Sequence, residues 1–271
     1  FPVYWIITGS FKTAQEINSA APTFFPQVFT LDNYQRLFAE QMPLFELKVA
    51  GYVITGPMIA TSLKWLLNTI IMAVASMILT CLTAAMAGYV LAKKQFYGRA
   101  LVFSLMVCAM ALPKQVILIP LVQQMAAMGI HDTLLAVILP IVGWPFGVFL
   151  MKQFSENVPT EMLEAARIDG AGQWRTFAQI VFPLIKPGVG ALAIFTFITS
   201  WNDYFMQLIM LISRSNLTIS VGIALMQSGP DANDFGLIMA GAAVAAVPIL
   251  VVFILFQRYF TQGITMGAVK G

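Results

Sequence analysis

The chain has 271 residues, 59% of them hydrophobic and 10% charged, with a mean hydropathy of +0.82. A water-soluble domain carries about a quarter charged residues, so this composition suits lipid as the solvent. The net charge of +3 comes without a long basic stripe and argues against nucleic acid as a partner.

The chain opens inside an apolar stretch, residues 1–7, without an initiator Met or a basic n-region, and this reads as the end of a truncated first span. Residues 12–64 are mixed in charge and broken by Pro22, Pro26, Pro43 and Pro57, which predicts an external segment of short helices. Five apolar stretches follow that meet or approach the roughly 20 residues needed to cross about 30 Å of hydrocarbon. Residues 65–92 are uncharged, 100–129 are interrupted only by Lys114, and 133–151 are uncharged; 187–213 hold one acid, Asp203, and 235–257 none. The expectation is an all-α integral membrane protein of six transmembrane helices, built as one domain over 1–271. Pro113, Pro120, Pro140, Pro145 and Pro248 punctuate the spans and can kink them; Pro113 beside Lys114 marks a possible break on a substrate path. Cys81 and Cys108 both lie in apolar runs and read as small hydrophobes.

Lys and Arg set the orientation. Nine of the fifteen basic residues fall in alternate short loops (Lys93, Lys94, Arg99; Lys152, Arg167, Arg175, Lys186; Arg258, Lys270), and these are assigned to the cytoplasm. The connections at 128–132 and 214–234 hold only Arg214 and face outward.

Residues 152–186 are too polar to span and too long for a simple turn, and within them 157–183 form a cytoplasmic loop with internal design. Pro159 suits a helix start, Thr160 an N-cap, and Glu161 and Glu164 place negative charge in the first turn. Glu164 and Arg167 have pairing spacing, Ala165 and Ala166 add little bulk, and Gly170, after Asp169, is placed to end the helix. A slim, exposed rod of this kind is an interlocking element rather than an active site.

Glu164-Ala165-Ala166, then Gly170, then Ile180 and Pro183 match the EAA motif of binding-protein-dependent ABC import permeases, with Phe182 where the family more often has Leu. Residues 199–204 (TSWNDY), Asp32-Asn33-Tyr34 and the terminal Gly-Ala-Val-Lys-Gly resemble the maltose-type carbohydrate permeases, and the likeness covers nearly the whole chain. The resemblance implies a type I ABC importer permease fold. It implies that Glu161, Glu164, Ala165, Ala166, Arg167, Asp169, Gly170, Ile180 and Pro183 form a coupling loop seated in a cytoplasmic ATPase. It also implies that a tail over 258–271, with Gly267 and Lys270, reaches between two ATPase subunits. The partners so implied are a second homologous permease subunit, two ATPase subunits and an extracytoplasmic solute-binding protein, in a cytoplasmic (inner) membrane. ATP and Mg would be used by the ATPase, with no cofactor on this chain.

For a sugar path the candidates are Lys114, which leaves room for an acidic saccharide, and Trp201, Asn202, Asp203 and Tyr204, whose rings could stack on sugars. The same polar residues could instead cap a break in the helix. Asn68, Thr69, Gln123 and Gln124 read as helix–helix glue. His131, the single histidine, reads as a cap for the helix that follows it, and no metal site is expected. The sequence holds no GxxxxGK[ST] and no catalytic grouping, so the chain is expected neither to bind ATP nor to be an enzyme. An ion-coupled secondary transporter is the alternative; it would need inverted repeats and several intramembrane acids, which Asp203 alone serves poorly.

Overall fold

A computed structural model describes residues 1–49, 52–228 and 233–268, with side chains for all of these except 47–49 and 255–268. In chain order the helices are α1 (Pro2–Ser10), α2 (Ala14–Ile17), α3 (Asp32–Ala39), α4 (Thr61–Lys93), α5 (Arg99–Met110), α6 (Leu118–Ala127), α7 (Leu134–Val142), α8 (Pro145–Glu156), α9 (Thr160–Ile168), α10 (Gln173–Thr176), α11 (Phe182–Asn202), α12 (Tyr204–Met210), α13 (Ile219–Met226) and α14 (Phe235–Ala268). Among the described residues four helical stretches are long and apolar enough to cross a membrane: Thr61–Lys93, Leu134–Glu156, Gln173–Asn202 and Phe235–Ile254.

The helical class holds, with two corrections to the expected elements. Residues 41–49 and 52–60 are not helical: β1 (Gln41–Pro43) pairs antiparallel with β4 (Met58–Ala60), and β2 (Glu46–Val49) with β3 (Tyr52–Thr55). The consecutive β-branched residues Val53, Ile54 and Thr55 after Tyr52 favour a strand, and Phe45 lies against the bare backbone of Gly56, where a side chain could not fit. The expected span at 100–129 is two shorter apolar helices, α5 and α6, separated by turns at 111–117. Pro113 cannot donate its share of the helical ladder, and the residue before it is pushed out of helical geometry.

The described chain falls into two compact units. The first comprises Phe1–Ile71, Asp132–Leu134 and Trp201–Val251. In it the start of α4 holds the segment after α12: Trp65 Nε1 donates to Arg214 O at 2.8 Å, Asn68 Nδ2 to Ser215 O and Leu217 O at 3.0 and 2.9 Å, and Ile219 N to Thr69 Oγ1 at 2.9 Å. Asn68 and Thr69 are glue, as expected, but their partners are backbone groups that no regular element would satisfy. Buried Asn33 donates to Ser10 O and Lys12 O, both at 2.9 Å, which ties α3 to the end of α1. Asp132, not His131, organises its turn. It sits at a φ of +59°, and its Oδ1 accepts from Ile212 N at 2.7 Å and Ser213 N at 2.9 Å while Oδ2 accepts from Ser213 Oγ.

The second unit comprises Met72–His131, Leu135–Ser200 and Val252–Gly271. Its core gathers Cys81, Ala84, Tyr89, Met151, Ile185 and Leu192 from α4, α8 and α11. At Gly88 the close neighbour is backbone: a Cβ there would stand 2.6 Å from the backbone of Met151 and Lys152. A small residue lets the two helix backbones meet, the usual means of helix packing in lipid. Replacing Gly88 with Ala should therefore cost about 1–3 kcal/mol of overpacking. Lowered thermal stability of the purified protein is the expected result, and an unchanged melting temperature counts against this contact.

Asp132 supplies a pH test. Burial raises its carboxyl pKa, but the donors from Ser213 and Ile212 outweigh burial and hold it below the usual carboxylate range. A depressed pKa means that the stabilisation is present above the unfolded value and is lost as pH falls through the folded one. Asn keeps the shape and tolerates positive φ, so Asp132→Asn isolates the charge. The melting-temperature gap between wild type and variant should be full near neutral pH and should close below about pH 4.

Candidate coupling loop and substrate path

The rod expected in the polar loop is α9, and its ends differ in one detail from the sequence reading. Pro159, extended at φ −60° and ψ 132°, occupies the N-cap position without a side-chain cap, so Thr160 is the first helical residue. Glu161 stands in the first turn and Arg167 in the last, each favourable to the helix dipole. At the other end Gly170 adopts φ +75°, with Gly170 N donating to Arg167 O at 3.1 Å and Ala171 N to Ala166 O at 2.9 Å. This paired closure satisfies two of the orphan carbonyls of α9 and needs a left-handed residue, which glycine supplies.

The two alanines have opposite fates. Ala166 is 5% exposed and turns inward with Val158 and Leu163 toward the core of its own unit, whereas Ala165 faces outward. The outer face therefore comprises Met162, Ala165 and Ile168, three residues apart on one side of the helix, with Ile168 86% exposed and Trp174 just beyond at 75%. The sequence reading missed Met162, Ile168 and Trp174, although their spacing was visible once the inward side of α9 was known. Glu161, Glu164, Arg167 and Asp169 are exposed, and no ion pair joins Glu164 to Arg167. Both line a cavity of about 390 Å³ beside Thr160 and the Lys93 and Lys94 end of α4.

Ile180 and Pro183 do not lie in a loop. The chain re-enters a helix at Gln173, and the stretch to Asn202 is continuous through a wide π turn at Phe177–Val181. Pro183 follows that turn. A proline ring clashes with the carbonyl four residues earlier and lacks the N–H to bond it, and the wider turn relieves both. α10 is fastened to α4 by Lys94 Nζ donating to Gln173 Oε1, with the Lys94 ammonium 5.4 Å from the Tyr89 ring centroid and Tyr89 against Phe177 at 5.7 Å. Within the tail expected over 258–271, helix α14 continues through Gly267 to Ala268; Lys270 lies outside the described residues.

On the expected substrate path, Lys114 is exposed in the turns between α5 and α6, in the second unit. Trp201 to Tyr204 belong to the first unit. There α11 ends at Asn202, and Asp203 begins α12, its Oδ1 accepting from Met206 N at 3.4 Å. Trp201 is 2% exposed, so its ring face is covered; Asn202 and Tyr204 are exposed. The capping alternative is thus met by Asp203, while Asn202 and Tyr204 keep surfaces that a ligand could touch.

Residues 84–266 match the family described as binding-protein-dependent transport system inner membrane component, a region that contains α9 and both of its flanking helical stretches. The chain is 34% identical to the arabinooligosaccharides transport system permease protein AraQ of Halalkalibacterium halodurans, over 100% of this chain and 91% of the relative. It is 33% identical to the maltodextrin transport system permease protein MdxG of Bacillus subtilis, over 100% and 91%. A crystal structure of a bacterial ABC transporter involved in the import of the acidic polysaccharide alginate has the same fold, with a TM-score of 0.77 at 18% identity over 96% of this chain and 90% of that one. By this match and the apolar helices that carry it, the chain belongs to the binding-protein-dependent transport system inner membrane components, as a multi-pass permease subunit of the inner membrane.

Proposed function

We propose that this permease moves a sugar or oligosaccharide inward, and that work enters through α9. The observation that carries the reading is the shape of α9: fixed by Ala166 on its inner side and closed by Gly170, it presents Met162, Ala165 and Ile168 outward within the residues that match the EAA motif. A cytoplasmic ATPase dimer, consuming ATP with Mg, would grip that face. A second permease subunit would complete the pathway, and a solute-binding protein would deliver the cargo. Because the helix from Gln173 to Asn202 starts only a short turn after α9, a displacement of α9 is transmitted to a spanning element without a slack linker. The sugar class is supported by the relatives, whose names specify arabinooligosaccharides and maltodextrin over their full shared length. The family match also favours this reading over an ion-coupled carrier.

Gly170→Val tests the coupling. A Cβ at Gly170 would meet nothing within 4 Å, so the penalty is conformational rather than steric, about 1–2 kcal/mol for a left-handed non-glycine residue and more for a β-branched one. The reconstituted complex should assemble but lose the link between ATP hydrolysis and uptake. Ile168→Glu should weaken ATPase copurification by placing a charge on the apolar face. Normal uptake by both variants would exclude α9 as the coupling element. For the cargo, binding-protein-dependent ATPase stimulation across neutral and uronate oligosaccharides gives the class. Loss of a uronate response alone in Lys114→Gln would identify Lys114 as a carboxylate contact, and no saccharide response at all would overturn the sugar reading.

A further inference from the structure

A second cavity, of about 600 Å³, shares Gln95 with the cavity beside α9 but has no α9 residue in its lining. Its walls are the loop 95–98, the first turns of α5 and Lys152 of α8. Two cations reach it. Lys152 is only 9% exposed; its ammonium pairs with Glu156 and lies 4.4 Å from the ring centroid of Phe103, which also lines the cavity. Arg99 donates to Ala92 O at 3.2 Å and Lys94 O at 3.5 Å, and makes no ion pair among the described residues. Glu156 therefore balances one of the two positive charges, and one remains. At the rim, Phe96 is 41% exposed and Tyr97 fully so, tyrosine being a residue type enriched at headgroup level in membranes. From the same point α5 runs off without a single buried residue, presenting Leu101, Val102 and Leu105.

We propose that this cavity binds the phosphate of an anionic phospholipid of the inner-membrane cytoplasmic leaflet, with Arg99 and Lys152 as its cations and α5 carrying its acyl chains. Uncompensated charge, an aromatic rim and an apolar rod occur in the order in which a lipid presents phosphate, glycerol and hydrocarbon. Basic pockets at cytoplasmic helix ends are suited to such headgroups. The proposal rests on the permease reading only for which leaflet the 93–99 loop faces.

The intact transporter, in nanodiscs of phosphatidylcholine doped with photoreactive phosphatidylglycerol, should label residues within 95–110, as mapped by peptide mass spectrometry, far more than with photoreactive phosphatidylcholine at the same fraction. Arg99→Gln or Lys152→Gln should each lower the labelling about five-fold, and the double variant about 25-fold, at roughly 1 kcal/mol per cation near a surface. Because Arg99 also closes the end of α4, the wild-type comparison between the two lipids stands by itself if a variant fails to assemble. Equal labelling by both lipids overturns the proposal. So does labelling abolished by excess inorganic phosphate, which would assign the cavity to a soluble anion, and so does a partner subunit found crosslinked over α5 in place of lipid. Sugar uptake is measured separately, so failure of the transport reading leaves this result interpretable.

Discussion

A helix interrupted inside a bilayer exposes carbonyls and amides that no water can reach, and each left unmet costs several kcal/mol. This constraint explains where the chain permits its breaks. Between α7 and α8 the chain leaves helical geometry at Trp144, ahead of Pro145, and the carbonyls of Ile141 and Val142 accept from Thr80 and Thr83 of α4, each at 3.3 Å. Between α11 and α12, Asp203 supplies a carboxylate to the first turn of the new helix. Between α5 and α6, short turns close on themselves, as in Val116 N to Pro113 O at 3.0 Å. Hydroxyls and carboxylates that look like isolated polar residues in an apolar sequence are here the means by which a helix can be broken.

The same economy shapes α9. The docking role proposed for α9 asks for a rod that is rigid in its own protein and smooth to a partner. Burying Ala166 and exposing Ala165 achieves both with two identical side chains 100° apart on the helix. Closure by Gly170 limits fraying at the end of α9, and under the proposed coupling role a push would reach the spanning helix beginning at Gln173 without being absorbed there. The residues at the two ends of α9 and the small residues along it therefore act together, and none of them needs unusual acid–base chemistry.

Much of this was legible without coordinates. The apolar runs located the spans because hydrophobic length is a one-dimensional property, and the turn of α9 was legible because dipole charges and a glycine stop act within a few residues. The strand pairs within 41–49 and 52–60 were missed because Pro43 and Pro57 read as loop breakers, whereas Pro43 ends β1 and Pro57 lies between β3 and β4, its carbonyl accepting from Leu44 N at 2.9 Å. The break at 111–117 was anticipated only as a kink, since composition does not say whether neighbours will rescue the freed backbone. Asp132 was overshadowed by His131 because its partners, Ile212 and Ser213, lie about 80 residues away.

The sequence alone determined that this chain lives in lipid, where its apolar runs lie and that α9 stops at Gly170, because hydropathy and helix capping are local. Only the tertiary structure decided which alanine of α9 is exposed, that Trp201 is covered while Tyr204 is not, that Gly88 is a point of backbone contact, and that Arg99 and Lys152 share one cavity. Those outcomes depend on which helix faces which, a property of packing between residues far apart in the chain.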